Sequence, residues 1–153
     1  MTGQDVLAVI DERTVCTGLQ AKDKEEALAQ MATMLQQAGY LQDTKAYLQD
    51  VYVREKQGVT GIGGYVAIPH GKSMAVQKTG VAIATLSQAI SWETLDGKGV
   101  KVIVLFAVGA EVAEAKTHLK LLSLFARKLG KDEVIQALLQ ARNAKEVKQA
   151  FAQ

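Results

Sequence analysis

Apolar residues recur at helical spacing over five stretches of the chain. From Asp23 to Gly39 the residues Ala27, Leu28, Met31, Leu35 and Ala38 share one face, Asp23 and Glu26 form a capping pair, and Gly39 is the stop. A second helix is predicted from Asp43 or Thr44 to Gly58, with Tyr47, Leu48, Val51 and Tyr52 on one face. That places Arg54 and Glu55 in its last turn, pointing toward the glycines that follow. From about Glu114 a third pattern puts Ala115, Leu119, Leu122, Phe125, Ala126 and Leu129 on one stripe and closes at Gly130, with His118 beside the stripe near the helix start. Val134, Ile135, Leu138 and Leu139 mark the next helix, and Val147, Ala150 and Phe151 follow an Asn143 to Glu146 cap on the last.

Other stretches read as strands. A β-branched run spans 13–19, and 65–68, 79–86 and 100–108 follow later; the last two are almost continuously apolar, as in strands covered on both faces. Between them, 90–98 reads as a short strand and a turn at Asp96-Gly97, with Trp92 as a packing residue. The alternation of patterns, without a linker rich in Pro, Ser or Gly, predicts an α/β fold in which a sheet is flanked by helices on both faces.

Composition narrows the class. With 153 residues, 48% hydrophobic and 22% charged, the chain suits one folded domain. Its 18 Lys and Arg against 16 Asp and Glu are interspersed, which argues against nucleic acid or an anionic membrane as partner. The strongest apolar run, 102–110, falls well short of the ~20 residues that cross a bilayer, and the first residues lack a signal-peptide pattern. A soluble, unexported protein is expected. The single cysteine, Cys16, fits a reducing compartment and reads as a small hydrophobe in a strand.

Candidate chemistry centres on Pro69-His70. The one proline has a fixed φ and no N–H, so it can end a strand and fix the backbone entering His70, while Gly58, Gly61, Gly63, Gly64 and Gly71 permit tight turns and close approach of an anion. A neutral imidazole is a nucleophile near neutral pH and, once phosphorylated on nitrogen, a leaving group, so His70 can carry a phosphoryl group between partners. Gly71 and Lys72 are candidate phosphate-binding residues through backbone N–H groups, Arg54 through its guanidinium fork, and His118 as a second imidazole donor. No metal or other cofactor is required. Each residue also has a plain reading: His70 as a satisfied buried histidine, His118 as a core residue, Arg54 as a solvated helix end. Two histidines without matched Cys, Asp or Glu make a poor metal set, and the loop lacks a nucleotide-binding Gly-Lys-Ser/Thr.

Arg54-Glu55, Thr60-Gly-Ile-Gly-Gly-Tyr-Val-Ala-Ile-Pro-His-Gly71, Ile90-Ser-Trp-Glu-Thr-Leu-Asp-Gly97 and Thr117-His-Leu-Lys-Leu-Leu122 together resemble the fructose/mannitol-type EIIA family of the phosphoenolpyruvate-dependent sugar phosphotransferase system. The resemblance covers essentially the whole chain. It implies a mixed β-sheet flanked by helices and a cytoplasmic phosphocarrier domain over 1–153. His70 matches the family's phosphorylated histidine, which accepts from the carrier protein HPr through the ε nitrogen; His118 matches the second histidine and Arg54 the neighbouring arginine. The implied next acceptor is a cysteine of an EIIB domain, which phosphorylates sugar entering through the membrane component EIIC. Cys16, in the first strand region, does not match that cysteine. Tyr65 is bulkier than the pattern suggests and is expected to narrow the approach to the site. The implied alternative role is that of the nitrogen-type branch, which binds other proteins according to its phosphorylation state.

Overall fold

Local sequence signals decide where the helices start. The Asp23 and Asp43 side chains accept from the backbone N–H groups of Glu26 and Ala46, opening α2 (Lys24–Gln37) and α3 (Thr44–Glu55). Asn143 does the same through Glu146 N–H for α6 (Ala144–Phe151). The computed structural model describes residues 3–152, and in it α1 (Gly3–Val9), α4 (Val112–Leu129) and α5 (Asp132–Gln140) complete the helices.

The strands are β1 (Val15–Cys16), β2 (Gly61–Gly63), β3 (Val66–Ala67), β4 (His70–Ser73), β5 (Gly80–Ile90) and β6 (Val100–Gly109). They form one mixed sheet in the order β1-β5-β6-β3-β2: β5 is antiparallel to β6, β1 is parallel to β5, and β3 and β4 are both parallel to β6. Along β5 and β6 alternate side chains enter opposite cores. Ala82, Ala84, Ile103, Leu105 and Ala107 pack with α2 and α3, whereas Val81, Ile83, Val102, Val104 and Phe106 pack with α1, α4, α5 and α6. The expected sheet with helices on both faces follows from this two-sided burial.

Pro69 shapes the edge that matters. Ala67 lies opposite Ile103 and His70 opposite Phe106, so β3 and β4 keep one register along β6 and are in effect one strand interrupted at Ile68-Pro69. The Phe106 N–H still donates to the Pro69 carbonyl at 3.0 Å, but proline returns no N–H, and the ladder opens just before His70.

Several elements differ from expectation. The strand predicted over 13–19 shrinks to Val15–Cys16, because the Asp11 carboxylate accepts from Arg13 N–H and caps a 3-10 turn at Glu12–Thr14. Helix α3 ends at Glu55 rather than Gly58, its end tightened by the bond from Gln57 N–H to the Arg54 carbonyl. Strand β5 runs on to Ile90 and absorbs the start of the short strand read at 90–98, and His70, expected just past a strand ended by Pro69, opens β4. Among the α4 residues whose side chains are described, the buried ones are His118, Leu121, Phe125 and Leu129; Leu119, expected on the stripe, is 64% exposed, and Ala115, also expected on it, lies outside them. Among the described residues no helix is long and apolar enough to cross a membrane.

Candidate active site

Helix α3 lies against β4 with almost no gap. A Cβ on Gly71 would come within 2.7 Å of Val51 Cγ2 and 2.9 Å of Tyr47 Cε1, and the Tyr47 hydroxyl donates to the Phe106 carbonyl at 2.6 Å. Glycine at 71 therefore lets the strand press onto the helix, and that contact brings the last turn of α3 over His70.

There Arg54 meets the imidazole. Its Nε donates to His70 Nε2 at 3.2 Å, and its Nη1 donates to the Gly58 carbonyl at 3.1 Å. Accepting from arginine requires Nε2 to be the unprotonated nitrogen, which assigns the ring proton to Nδ1. Nδ1 is buried and unpaired in any well-aligned hydrogen bond, although the Ile68 carbonyl nearby favours a proton on the ring. Burial lowers the His70 pKa, the Arg54 charge lowers it further, and the Ile68 carbonyl and the Glu55 charge oppose both.

His118 reaches the same place from α4. Its ring centroid lies 5.0 Å from that of His70 and 5.1 Å from that of Phe106, the latter edge-on. It is 6% exposed, and neither ring nitrogen has a hydrogen-bond partner among the described residues. Burial, aided by the nearby His70, lowers its pKa to about 4, so the ring is neutral at neutral pH. A buried imidazole without a hydrogen-bond partner is costly, and its nitrogens stay open to a group that enters the cleft.

The two histidines open into a cleft of about 450 Å³ walled by Asp50, Val53, Arg54 and Gln57 of α3, His70 and Lys72 of β4, Val108 of β6, and His118 and Leu119 of α4. His70, His118, Arg54 and Lys72 are thus brought together. Gly71 is the exception: it is buried, and with the Phe106 N–H bonded to the Pro69 carbonyl, the parallel register turns the Gly71 N–H toward β6 rather than the imidazole. Tyr65, expected to narrow the approach, sits at φ 69° in the β2–β3 turn under the Lys101 ammonium and is not among the cleft's walls. Cys16 lies in β1, separated from β4 by β5 and β6.

Behind the cleft is a group the sequence reading left without a role. The Glu55 carboxylate pairs with Lys24 Nζ at 2.5 Å and accepts from Thr60 Oγ1 at 2.6 Å, and Lys24 also bonds Glu93 at 3.3 Å and lies 4.9 Å above the Trp92 ring. The Arg54-Glu55 pair was the available signal. Its partners come from α2, the glycine loop and the segment before β6, which no local periodicity connects. Among the described residues no group of three or more His, Cys, Asp or Glu is placed to hold a metal ion.

Residues 8–153 match the model of the family described as phosphoenolpyruvate-dependent sugar phosphotransferase system, EIIA 2. The chain is 36% identical over 121 residues to the 2-O-alpha-mannosyl-D-glycerate-specific EIIABC component of Escherichia coli (strain K12), a match over 78% of this chain and 18% of that relative. It thus spans about a fifth of that protein's length. To the fructose-like EIIA component of the same organism it is 31% identical over 134 residues, covering 88% of this chain and 89% of the relative. In fold it is similar to the crystal structure of the nitrogen regulatory protein IIA-Ntr from Neisseria meningitidis, with a TM-score of 0.86 at 23% identity over 95% of this chain and 98% of that one. The family match spans both helical layers, the interrupted β3–β4 edge and the cleft residues, and on it the chain belongs to the EIIA 2 family of the phosphoenolpyruvate-dependent sugar phosphotransferase system.

Proposed function

We propose that this chain is one EIIA-type phosphocarrier unit that accepts a phosphoryl group on His70 Nε2 from phospho-HPr and passes it to a cysteine of an EIIB domain, acting in the cytoplasm. The observation that carries the reading is the set of groups around one nitrogen: Nε2 of His70 held unprotonated by Arg54, with a partnerless His118 5.0 Å away between ring centroids. In the forward step the Nε2 lone pair attacks phosphorus, an N–P bond forms, and the bond to the donor's histidine nitrogen breaks with its electron pair leaving on that nitrogen. Arg54 then exchanges a bond to Nε2 for one to a phosphoryl oxygen. Lys72 supplies positive charge at the cleft wall, and His118 donates its ring N–H to a second oxygen. Gly71 contributes through packing in this scheme, its N–H being turned toward β6. In the second step a thiolate attacks phosphorus and His70 leaves as a neutral imidazole.

The relative's EIIABC name joins an A component to B and C components, which supports an EIIB acceptor for this chain too. Incubation with phosphoenolpyruvate and the general phosphotransfer proteins should add one acid-labile phosphate, and His70→Ala should abolish it. Label persisting in His70→Ala would overturn the assignment. His118→Ala should keep some labelling and slow its transfer, and equal labelling at His118 would reverse the two roles. Failure to pass phosphoryl to any EIIB domain, with His70 labelled normally, would favour the regulatory role of the nitrogen-type branch.

A further inference from the structure

Arg54 needs a fixed direction to serve the reacting nitrogen, yet arginine carries about 2 kcal/mol of rotamer entropy and sits at a helix end, where backbones fray. Two contacts hold its guanidinium, to His70 and to the Gly58 carbonyl. Both depend on the next residue. Glu55 lies about 100° further round the helix, so with its carboxylate locked into Lys24 and Thr60 the last turn of α3 cannot rotate and Arg54 is left facing the cleft. The bond from Thr60 to Glu55 also closes the segment that carries Gly58, and so fixes the carbonyl that Nη1 grips.

Stability alone is a poor reason for this arrangement. The Glu55 side chain is 7% exposed and that of Lys24 11%, and a buried ion pair contributes little more than a well-packed apolar pair would. What it adds is direction, because each of its bonds has an angle. We propose that Glu55, locked by Lys24 and Thr60, is the positioning residue that aims Arg54 at His70 Nε2. This rests on the phosphocarrier reading for its purpose, though not for its geometry.

The test is a double-substitution cycle on the full chain with two readouts. Glu55→Gln leaves Lys24 with only the more distant, solvent-exposed Glu93 as counter-charge and leaves one oxygen at position 55 for two donors; Thr60→Val keeps both charges and removes a single bond. Each is made alone and with Arg54→Lys. In the unphosphorylated protein, the nitrogen-15 resonance of His70 Nε2 should move in Glu55→Gln toward its position in Arg54→Lys. Single-turnover transfer from phospho-HPr should fall roughly ten-fold, the equivalent of one hydrogen bond's worth of alignment, with under about two-fold further loss when Arg54→Lys is already present. Thr60→Val should shift both readouts the same way by less, and decides the matter where Glu55→Gln does not fold. An unmoved Nε2 resonance, or losses that multiply in the double variants, overturns the proposal. Absence of phosphoryl transfer in the unsubstituted protein would instead sink the phosphocarrier reading, with the resonance of Nε2 still deciding whether Glu55 aims Arg54.

Discussion

Arg54 and His118 owe their properties to opposite kinds of neighbourhood. Among the described residues no carboxylate pairs with Arg54; the nearest candidate by sequence, Glu55, is taken by Lys24, and the guanidinium is left to a carbonyl and an imidazole. Arg54→Lys keeps the charge and loses the fork, so transfer should drop roughly ten-fold or more, while the melting temperature hardly moves. A normal single-turnover rate in that variant would remove Arg54 from the chemistry. Neither ring nitrogen of the buried His118 has a hydrogen-bond partner among the described residues, and its pKa of about 4 lies below the ordinary 6.5. Above pH 6.5 the ring is neutral folded or unfolded; as pH falls from 6.5 toward about 4 the unfolded chain takes up a proton that the folded chain refuses, so stability declines across that window. His70, also depressed, adds to the slope. Melting temperatures at pH 7 and near pH 4 should therefore converge in His118→Phe relative to the unsubstituted protein, and an identical acid slope in both would contradict the assignment. His70 and Arg54 were legible in the sequence because Pro-His and a helix end next to a glycine loop are local signals. His118 was placed beside its apolar stripe when it is part of that stripe, since spacing alone cannot tell a polar residue tolerated at a core position from one that rims it.

At the scale of elements, legibility followed length. Helices α2 to α6 were readable because each shows periodic apolar residues over two turns or more and three of them carry an Asp or Asn cap, whereas α1, only seven residues long, was not predicted. Strands β5 and β6 were readable as long apolar runs. The short strands β2 and β4, Gly-Ile-Gly and His-Gly-Lys-Ser, carry no alternation of their own and exist because β6 and the β2–β3 hairpin offer them partners. The close fit of α3 on β4 was equally invisible, since Gly71 reads as a loop glycine until Val51 and Tyr47 are seen above it. Gly71→Ala should force a methyl against those two side chains, cost about 1–3 kcal/mol, and tilt β4 so that His70 leaves Arg54. Urea unfolding should show a lower midpoint with an unchanged slope, together with slower phosphoryl transfer. An unaltered midpoint would mean that α3 and β4 can separate freely, and that their contact does not set the site.

For the whole molecule, the position of the cleft constrains how partners use it. His70 and His118 lie in a recess between α3 and α4, and on its two walls stand Val53, 55% exposed, and Leu119, 64% exposed, both large apolar side chains turned outward beside polar Asp50, Gln57 and Lys72. If His70 carries the phosphoryl group as proposed, donor and acceptor must each bring a reacting atom to Nε2 of the same histidine, and one recess admits one partner at a time. HPr and an EIIB domain should therefore compete, each covering the same apolar pair with a polar rim, at the modest affinity that turnover requires. The net charge of +2 is too small and too dispersed for electrostatic steering to replace this contact. Val53→Asp places a carboxylate where both partners must exclude water. The loss of one half-exposed valine contact, up to about 1.5 kcal/mol, corresponds to roughly ten-fold weaker binding. The effect should appear as a higher KM for phospho-HPr and for EIIB alike, with kcat for transfer little changed and the melting temperature steady, because Val53 touches neither the reacting nitrogen nor either core. A titration in which HPr and EIIB bind together, or a Val53→Asp variant that weakens one partner and spares the other, would show that the two approach His70 across different surfaces.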